Sequence, residues 1–229
     1  IVQGRLGLIP KEAADEIVSH CRIEEIDMAR LRHQTGRIGY PILGVVTQIN
    51  QLCRDKLGEF VHWGATTQDI TDTATVLQIR EALELVDKDL AAIAKAMAKL
   101  AKEHRLTPMI GRSNLQQAIP VTFGYKMAGL LSAILRHRER ITQLKERVLV
   151  GEFAGAAGTL ASLQTGAMEP QAGLCAELGL GQPAIAWHTI RDNIAEVGAV
   201  LGLIGGTLGK LSMDVKLMMQ TEVGEVYEP

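Results

Sequence analysis

Apolar residues recur along this chain at steps of four and three over long distances, a pattern that predicts three long helices. The first runs from about Asp72 to His104, where Ile79, Leu83, Val86, Leu90, Ile93, Met97 and Leu100 form an unbroken heptad seam. Thr107-Pro108 closes it, because the residue before a proline avoids the helical region. The second runs from about Pro120, a residue suited to a first helical turn, to Val150. Met127, Leu130, Ile134, Ile141, Leu144 and Val148 share one face, and His137, which interrupts that seam, reads as a core or bundle-edge residue. The third runs from about Thr189 to Thr221 and has the strongest period. Ile190, Ile194, Val197, Leu201, Ile204, Leu208, Leu211, Val215 and Met218 alternate strictly. Beside them Gly198, Gly202, Gly205, Gly206 and Gly209 form a small-residue stripe. Each glycine costs roughly 0.8–1 kcal/mol of helix propensity against alanine, so this helix is expected to survive by burial among others.

The remaining segments are shorter. Residues 1–60 read as a helical N-terminal region, with helices over Pro10–Cys21, Ile23–Leu31 and Leu43–Leu57. A Gly/Pro-punctuated stretch runs through Gly36 to Pro41, and Gly58 is placed to end the last helix. Residues 61–229 read as the long-helix bundle, with 111–120 a polar loop and 151–187 a glycine-rich helical crossover. Helices of about thirty residues are about 45–50 Å long at 1.5 Å per residue. A lone chain of 229 residues cannot cover them on all sides, which predicts self-association. The fold class expected is all-α, a long-helix bundle assembling into a multi-helix oligomeric core.

Composition agrees: 47% hydrophobic residues with only 3% aromatics favours aliphatic helix packing over a β-sandwich. A net charge of −2 without a basic block gives no nucleic-acid footprint. Cys21, Cys53 and Cys175 lack any CxxC spacing and read as free thiols of a reducing, cytoplasmic compartment. The most apolar run, Val197 to Gly209, is thirteen residues long, short of the roughly twenty that span a membrane. No metal is expected, since HxxxH, HExxH and CxxC are absent. The chain opens at Ile1 rather than methionine, as a fragment would.

Three polar segments, 62–72, 111–118 and 187–192, each stand at the start of a long helix. Free backbone N–H groups and the positive dipole end make such places anion-friendly. Taken alone, Thr66, Thr67, Asp69 and Asp72 read first as ordinary N-caps.

His62-Trp63-Gly64-Ala65-Thr66-Thr67-Gln68-Asp69-Ile70-Thr71-Asp72-Thr73 resembles the first signature of the fumarase/aspartase superfamily, and Gly111 to Pro120 resembles its second. Trp187 to Asp192 and Met219 to Pro229 are similar to the branch that holds 3-carboxy-cis,cis-muconate cycloisomerase, with adenylosuccinate lyase nearby. The resemblance implies a homotetramer with a twenty-helix core and active sites shared between subunits. It implies anti elimination or addition next to a carboxylate, through an aci-carboxylate, without an organic cofactor. The substrate implied is a small polycarboxylate, for which fixed hydroxyl and amide donors would hold developing charge. Thr66, Thr67 and Gln68 fall where the family binds a substrate carboxylate, and Ser113 and Gln116 fall in its second binding segment. His62 matches a histidine that acts as acid or substrate contact in the adenylosuccinate lyase branch, with a hydrogen-bonded structural histidine beside Trp63 as its alternative reading. Arg112 reads as a carboxylate binder or a salt-bridge partner, and His188 and Arg191 as local caps and ion pairs.

Two departures shape the functional reading. Relatives carrying Thr-His-x-Gln in the second signature use the histidine for proton transfer; here Asn114 stands there, able to hydrogen-bond but not to titrate. That points to the cycloisomerase branch and leaves open a C–N lyase or epimerase acting on an N-substituted aspartate. Catalytic weight falls on His62 and Asn114. The third signature, a serine-bearing loop supplying the base, is expected just after Pro229, so residues 1–229 are expected to be inactive alone. A non-catalytic helical scaffold is the alternative from another class.

Overall fold

Helix ends in this chain are set by a few local devices. In the computed structural model, which describes residues 1–163 and 166–228, Asp27 starts one helix by accepting from the N–H groups of Ala29 and Arg30 at 3.0 and 2.9 Å. Gly39 ends it at φ +97°, a left-handed turn that suits glycine. This element, α3 (Met28–Ile38), follows α1 (Val2–Arg5) and α2 (Lys11–Ser19) and precedes α4 (Ile42–Leu52). The helix expected over Ile23–Leu31 is therefore displaced toward the C-terminus and runs through Gly36. α4 ends at Leu52, before Gly58, which lies in a short 3-10 turn against Asn50.

The chain divides into two units. One comprises residues 1–78 and 149–191, the other 79–148 and 192–229. In the first, α1 to α4, the opening turns of α5 (Thr67–Glu103) and α7 (Met168–Leu178) bury Ile9, Ala13, Ile49, Val76, Cys175 and Trp187. Phe153, Leu160 and Leu163 form a small apolar cluster beneath Ala65, Ala167 and Leu174. Gly64 lies so close to Leu163 that a Cβ there would sit 2.6 Å from its Cδ2.

The second unit holds the rest of α5, then α6 (Phe123–Val148) and α8 (Asp192–Met218). The heptad reading of α5 is met: Leu83, Leu90 and Met97 are buried, and Ile79, Val86, Ile93 and Leu100 half-buried between them. The α6 seam is buried throughout, His137 included. Residues 111–120 are not a loop. Pro108–Ser113 (β1) and Gln116–Thr122 (β2) pair antiparallel, and Pro120 sits in the second strand, so α6 starts only at Phe123. Asn114 and Leu115 make the two-residue turn with φ of +50° and +60°, the left-handed pair that a tight hairpin requires.

α8 departs further from expectation. Val197, Val200, Ile204 and Met218 are buried, but Leu201, Leu203, Met213 and Val215 are exposed. A Cβ built on Gly198, Gly202, Gly205, Gly206 or Gly209 would meet nothing within 4 Å. Among the described residues only one face of this helix finds a partner. At 27 residues, with an 18-residue window of mean hydropathy 1.5, α8 is long and apolar enough to cross a membrane by length and composition, which the thirteen-residue run alone did not suggest. Three of its charged residues are paired: Glu196 with Arg147, and Asp214 with both Lys126 and Lys210.

Candidate active site

The first unit builds a buried polar cluster around Asp69. Helix α5 opens at Thr67, and the Asp69 carboxylate turns back over that first turn to accept from the N–H of Thr66 at 2.8 Å. This is the capping role expected of an acidic residue in a first turn, but here the carboxylate is also buried. The N–H groups of Ala154 and Gly155 each reach it at 3.0 Å, and Gly155 takes φ +74°. One of its oxygens also meets Nε2 of His188 at 2.7 Å. An anion stripped of water needs such a set of donors.

His188 is held at a second point, since Gln68 donates to its carbonyl at 2.7 Å. Glu152 approaches the same nitrogen, with Oε1 3.8 Å from Nε2. Its Oε2 accepts from the Trp187 N–H at 2.8 Å, while Oε1 is buried with no hydrogen-bond partner among the described residues. Burial pushes the Glu152 carboxyl up. Arg191 grips both oxygens of Asp72, at 2.6 and 3.0 Å, and stacks 5.0 Å from the Trp187 ring. Local capping and ion pairing were the expectation for His188 and Arg191, but both residues instead meet acids 119 positions away in the chain.

His62 adopts φ +66°, a left-handed conformation that a histidine enters at a cost. Burial lowers its pKa, against the opposing pull of Asp69, and so favours the neutral ring. Thr66 and Thr67 are half-buried, and among the described residues neither hydroxyl is taken by a protein partner. Gln68 is less free. Its amide nitrogen donates to the His188 carbonyl and, at 3.1 Å, to Asp72.

The second signature lies in the other unit, on the hairpin. Ser113, Asn114 and Gln116 are exposed at its tip. Arg112 is engaged by Glu225 through two hydrogen bonds of 2.8 Å, the salt-bridge alternative of its reading. The hairpin borders a cavity of about 470 Å³ lined also by Tyr125, Lys126, Lys210 and Asp214.

Asp69, Glu152 and His188 bring three potential ligand atoms within 4.8 Å of one another. The Asp69 oxygens already accept three N–H groups and meet the imidazole, so both are engaged. A buried acid–imidazole pair beside unengaged hydroxyls at a helix N-terminus suits proton transfer next to a bound carboxylate.

Comparison with known proteins agrees with the motifs. A family model described as Lyase matches residues 7–229. The chain belongs to the fumarase/aspartase superfamily. It is 55% identical to trans-aconitate decarboxylase 1 of Mycosarcoma maydis over 100% of this chain and 46% of that protein. It is 44% identical to the 3-carboxy-cis,cis-muconate cycloisomerase of Pseudomonas aeruginosa, over 99% of this chain and 50% of that one. Among solved structures, a fumarate lyase from Mesorhizobium sp. BNC1 superimposes with a TM-score of 0.96 at 52% identity, covering 100% of this chain and 54% of that chain. The chain spans about half the length of the curated relatives it matches. The long-helix fold of the superfamily is therefore present here, with a hairpin carrying the second signature. What sequence reading missed in this superfamily member is Glu152. The signal was a lone acid in the apolar and small stretch Val148 to Gly155.

Proposed function

We propose that the protein acts on a small polycarboxylate by proton transfer and bond cleavage or formation next to a carboxylate, most like a 3-carboxy-cis,cis-muconate cycloisomerase. The observation that carries this reading is the pair of unengaged hydroxyls, Thr66 and Thr67, at the positive end of a 37-residue helix. They flank the carboxylate that orients His188 and acts on His62. The relatives' names support a substrate class broader than one reaction. trans-Aconitate, 3-carboxy-cis,cis-muconate and N-acetyl-S-(2-succino)cysteine are all tricarboxylic acids, although decarboxylation, lactonisation and C–S cleavage differ.

In this reading Thr66, Thr67, Ser113 and Gln116 hold carboxylates, with Gln68 and Arg112 bracing the first and second segments. His62 and Asn114 line the reaction centre. Copies of the chain share sites in a homo-oligomer, the tetramer of the superfamily resemblance. The bare face of α8 and the exposed hairpin tip favour this assembly. Decarboxylation of an unsaturated tricarboxylate is the second reading, favoured by the 55% identity to trans-aconitate decarboxylase 1.

Full-length protein incubated with 3-carboxy-cis,cis-muconate should abolish the diene absorbance at a catalytic rate, and Asn114→Ala should slow that loss. Carbon dioxide release from trans-aconitate without any lactonisation would replace the first reading with the second. Fumarate release from N- or S-substituted succinates would move the protein to the C–N or C–S lyases. Inactivity on all of these acids would sink the polycarboxylate reading and favour the scaffold.

A further inference from the structure

We propose that His188 is a proton-transfer residue for the substrate held at Thr66 and Thr67, with Asp69 as the residue that positions its ring. This rests on the polycarboxylate reading. Asp69 accepts at Nε2 of His188 over 2.7 Å and is itself fixed by three backbone N–H groups. An ionised carboxylate only accepts, so Nε2 carries the hydrogen and Nδ1 is the nitrogen that gains and loses a proton. Among the described residues no partner occupies Nδ1. The side chains of Asp69 and Glu152 are 0% exposed and that of His188 is 13% exposed. The reachable edge of the cluster is therefore the ring.

Glu152 separates this arrangement from an ordinary structural histidine. One carboxylate is enough to orient a neutral ring. A second buried carboxyl, with an oxygen unused and 3.8 Å from Nε2, is held toward its neutral form by burial. It ionises at least cost when the ring beside it carries a proton, which couples the two groups. Asp72 is already paired with Arg191.

In lactonisation a substrate carboxylate oxygen bonds to one alkene carbon, and the π pair moves to the other, next to a second carboxylate. That carbon takes the proton from Nδ1 of the imidazolium, leaving a neutral ring with Nε2–H still on Asp69. In the reverse direction neutral Nδ1 removes the C–H proton, the freed pair re-forms the C=C, and the C–O pair leaves with the carboxylate oxygen.

Full-length protein carrying His188→Gln should lose about 10²–10⁴-fold in kcat, the range of general acid–base catalysis. Its KM should change less than about threefold, and one limb of the pH–kcat profile should disappear. Glu152→Gln should fold, retain measurable kcat and shift that limb. In ¹⁵N-histidine NMR of the unmodified protein, His188 should show the Nε2–H tautomer, with an Nδ1 resonance that titrates and moves on addition of tricarballylate. An active unmodified protein whose His188→Gln variant keeps its kcat, or loses only in KM, would overturn the proton-transfer role alone. So would an Nδ1–H tautomer or an Nδ1 that never titrates. If no acid is turned over and tricarballylate moves no histidine resonance, the polycarboxylate reading falls and this role falls with it.

Discussion

Burial holds both His62 and His137 below the ordinary histidine range. His137 shows the consequence most clearly, because it lies in a hydrophobic seam and not in the candidate site. Arg140 donates toward its Nδ1 at 3.3 Å, so Nε2 carries the hydrogen and donates to Thr207 Oγ1 at 2.7 Å. A second proton would place Nδ1–H against a guanidinium. Since the folded value lies below the unfolded one, the unfolded chain binds the proton first as pH falls. The stability linked to this residue is full above about pH 6.5 and is lost progressively below it. Thermal unfolding followed from about pH 7.5 to about pH 5, a window that brackets the ordinary histidine value, should show a falling midpoint, with a shallower fall in His137→Gln. An equal slope in the variant would show that the loss arises elsewhere. The sequence marked His137 as a core residue from the seam it interrupts. It could not mark Glu152, because nothing local to a lone acid says which imidazole will face it.

At the scale of elements, periodicity was legible and chain reversals were not. The seams of α5 and α6 follow directly from apolar spacing. The hairpin did not, because Gly111 to Pro120 lacks alternation and its turn uses Asn114-Leu115 where Asn-Gly is the usual signal. A bulge between Ile110 and Arg112 further breaks the period of two. The corner between α5 and α6 depends on Gly124, where a Cβ would lie 2.5 Å from the Ala101 carbonyl oxygen and 2.7 Å from Arg105 Cα. Backbone cannot yield as a side-chain tip can, so Gly124→Ala should destabilise by about 1–3 kcal/mol, the usual range for overpacking. Denaturant unfolding measures it, and a midpoint within error of the parent would show that the corner relaxes freely.

At the scale of the molecule, three long helices were expected to need more cover than one chain provides, and the exposed side of α8 is such an uncovered face. Gly202 and Gly206 border a groove of about 530 Å³ together with Leu130, Ala133 and Leu203. In the proposed oligomer a second copy lies against this face. Gly202→Leu should then leave the helical content of the chain intact and shift its sedimentation toward smaller species. An unchanged assembly would place the contact elsewhere, and partition of the parent protein into detergent alone would favour a membrane as its cover.

In the proposed oligomer the bare stripe from Gly198 to Gly209 would also bear on recognition between related chains. A surface made of hydrogens where others carry methyl groups admits a close neighbour only if the opposing helix is contoured to match. A homologue expressed in the same cell with alanine at two or three of these positions would keep its own fold yet fit poorly against this one. Sorting of like with like would then be written in the absence of side chains, and a few methyl groups would be enough to keep sister lineages in separate assemblies.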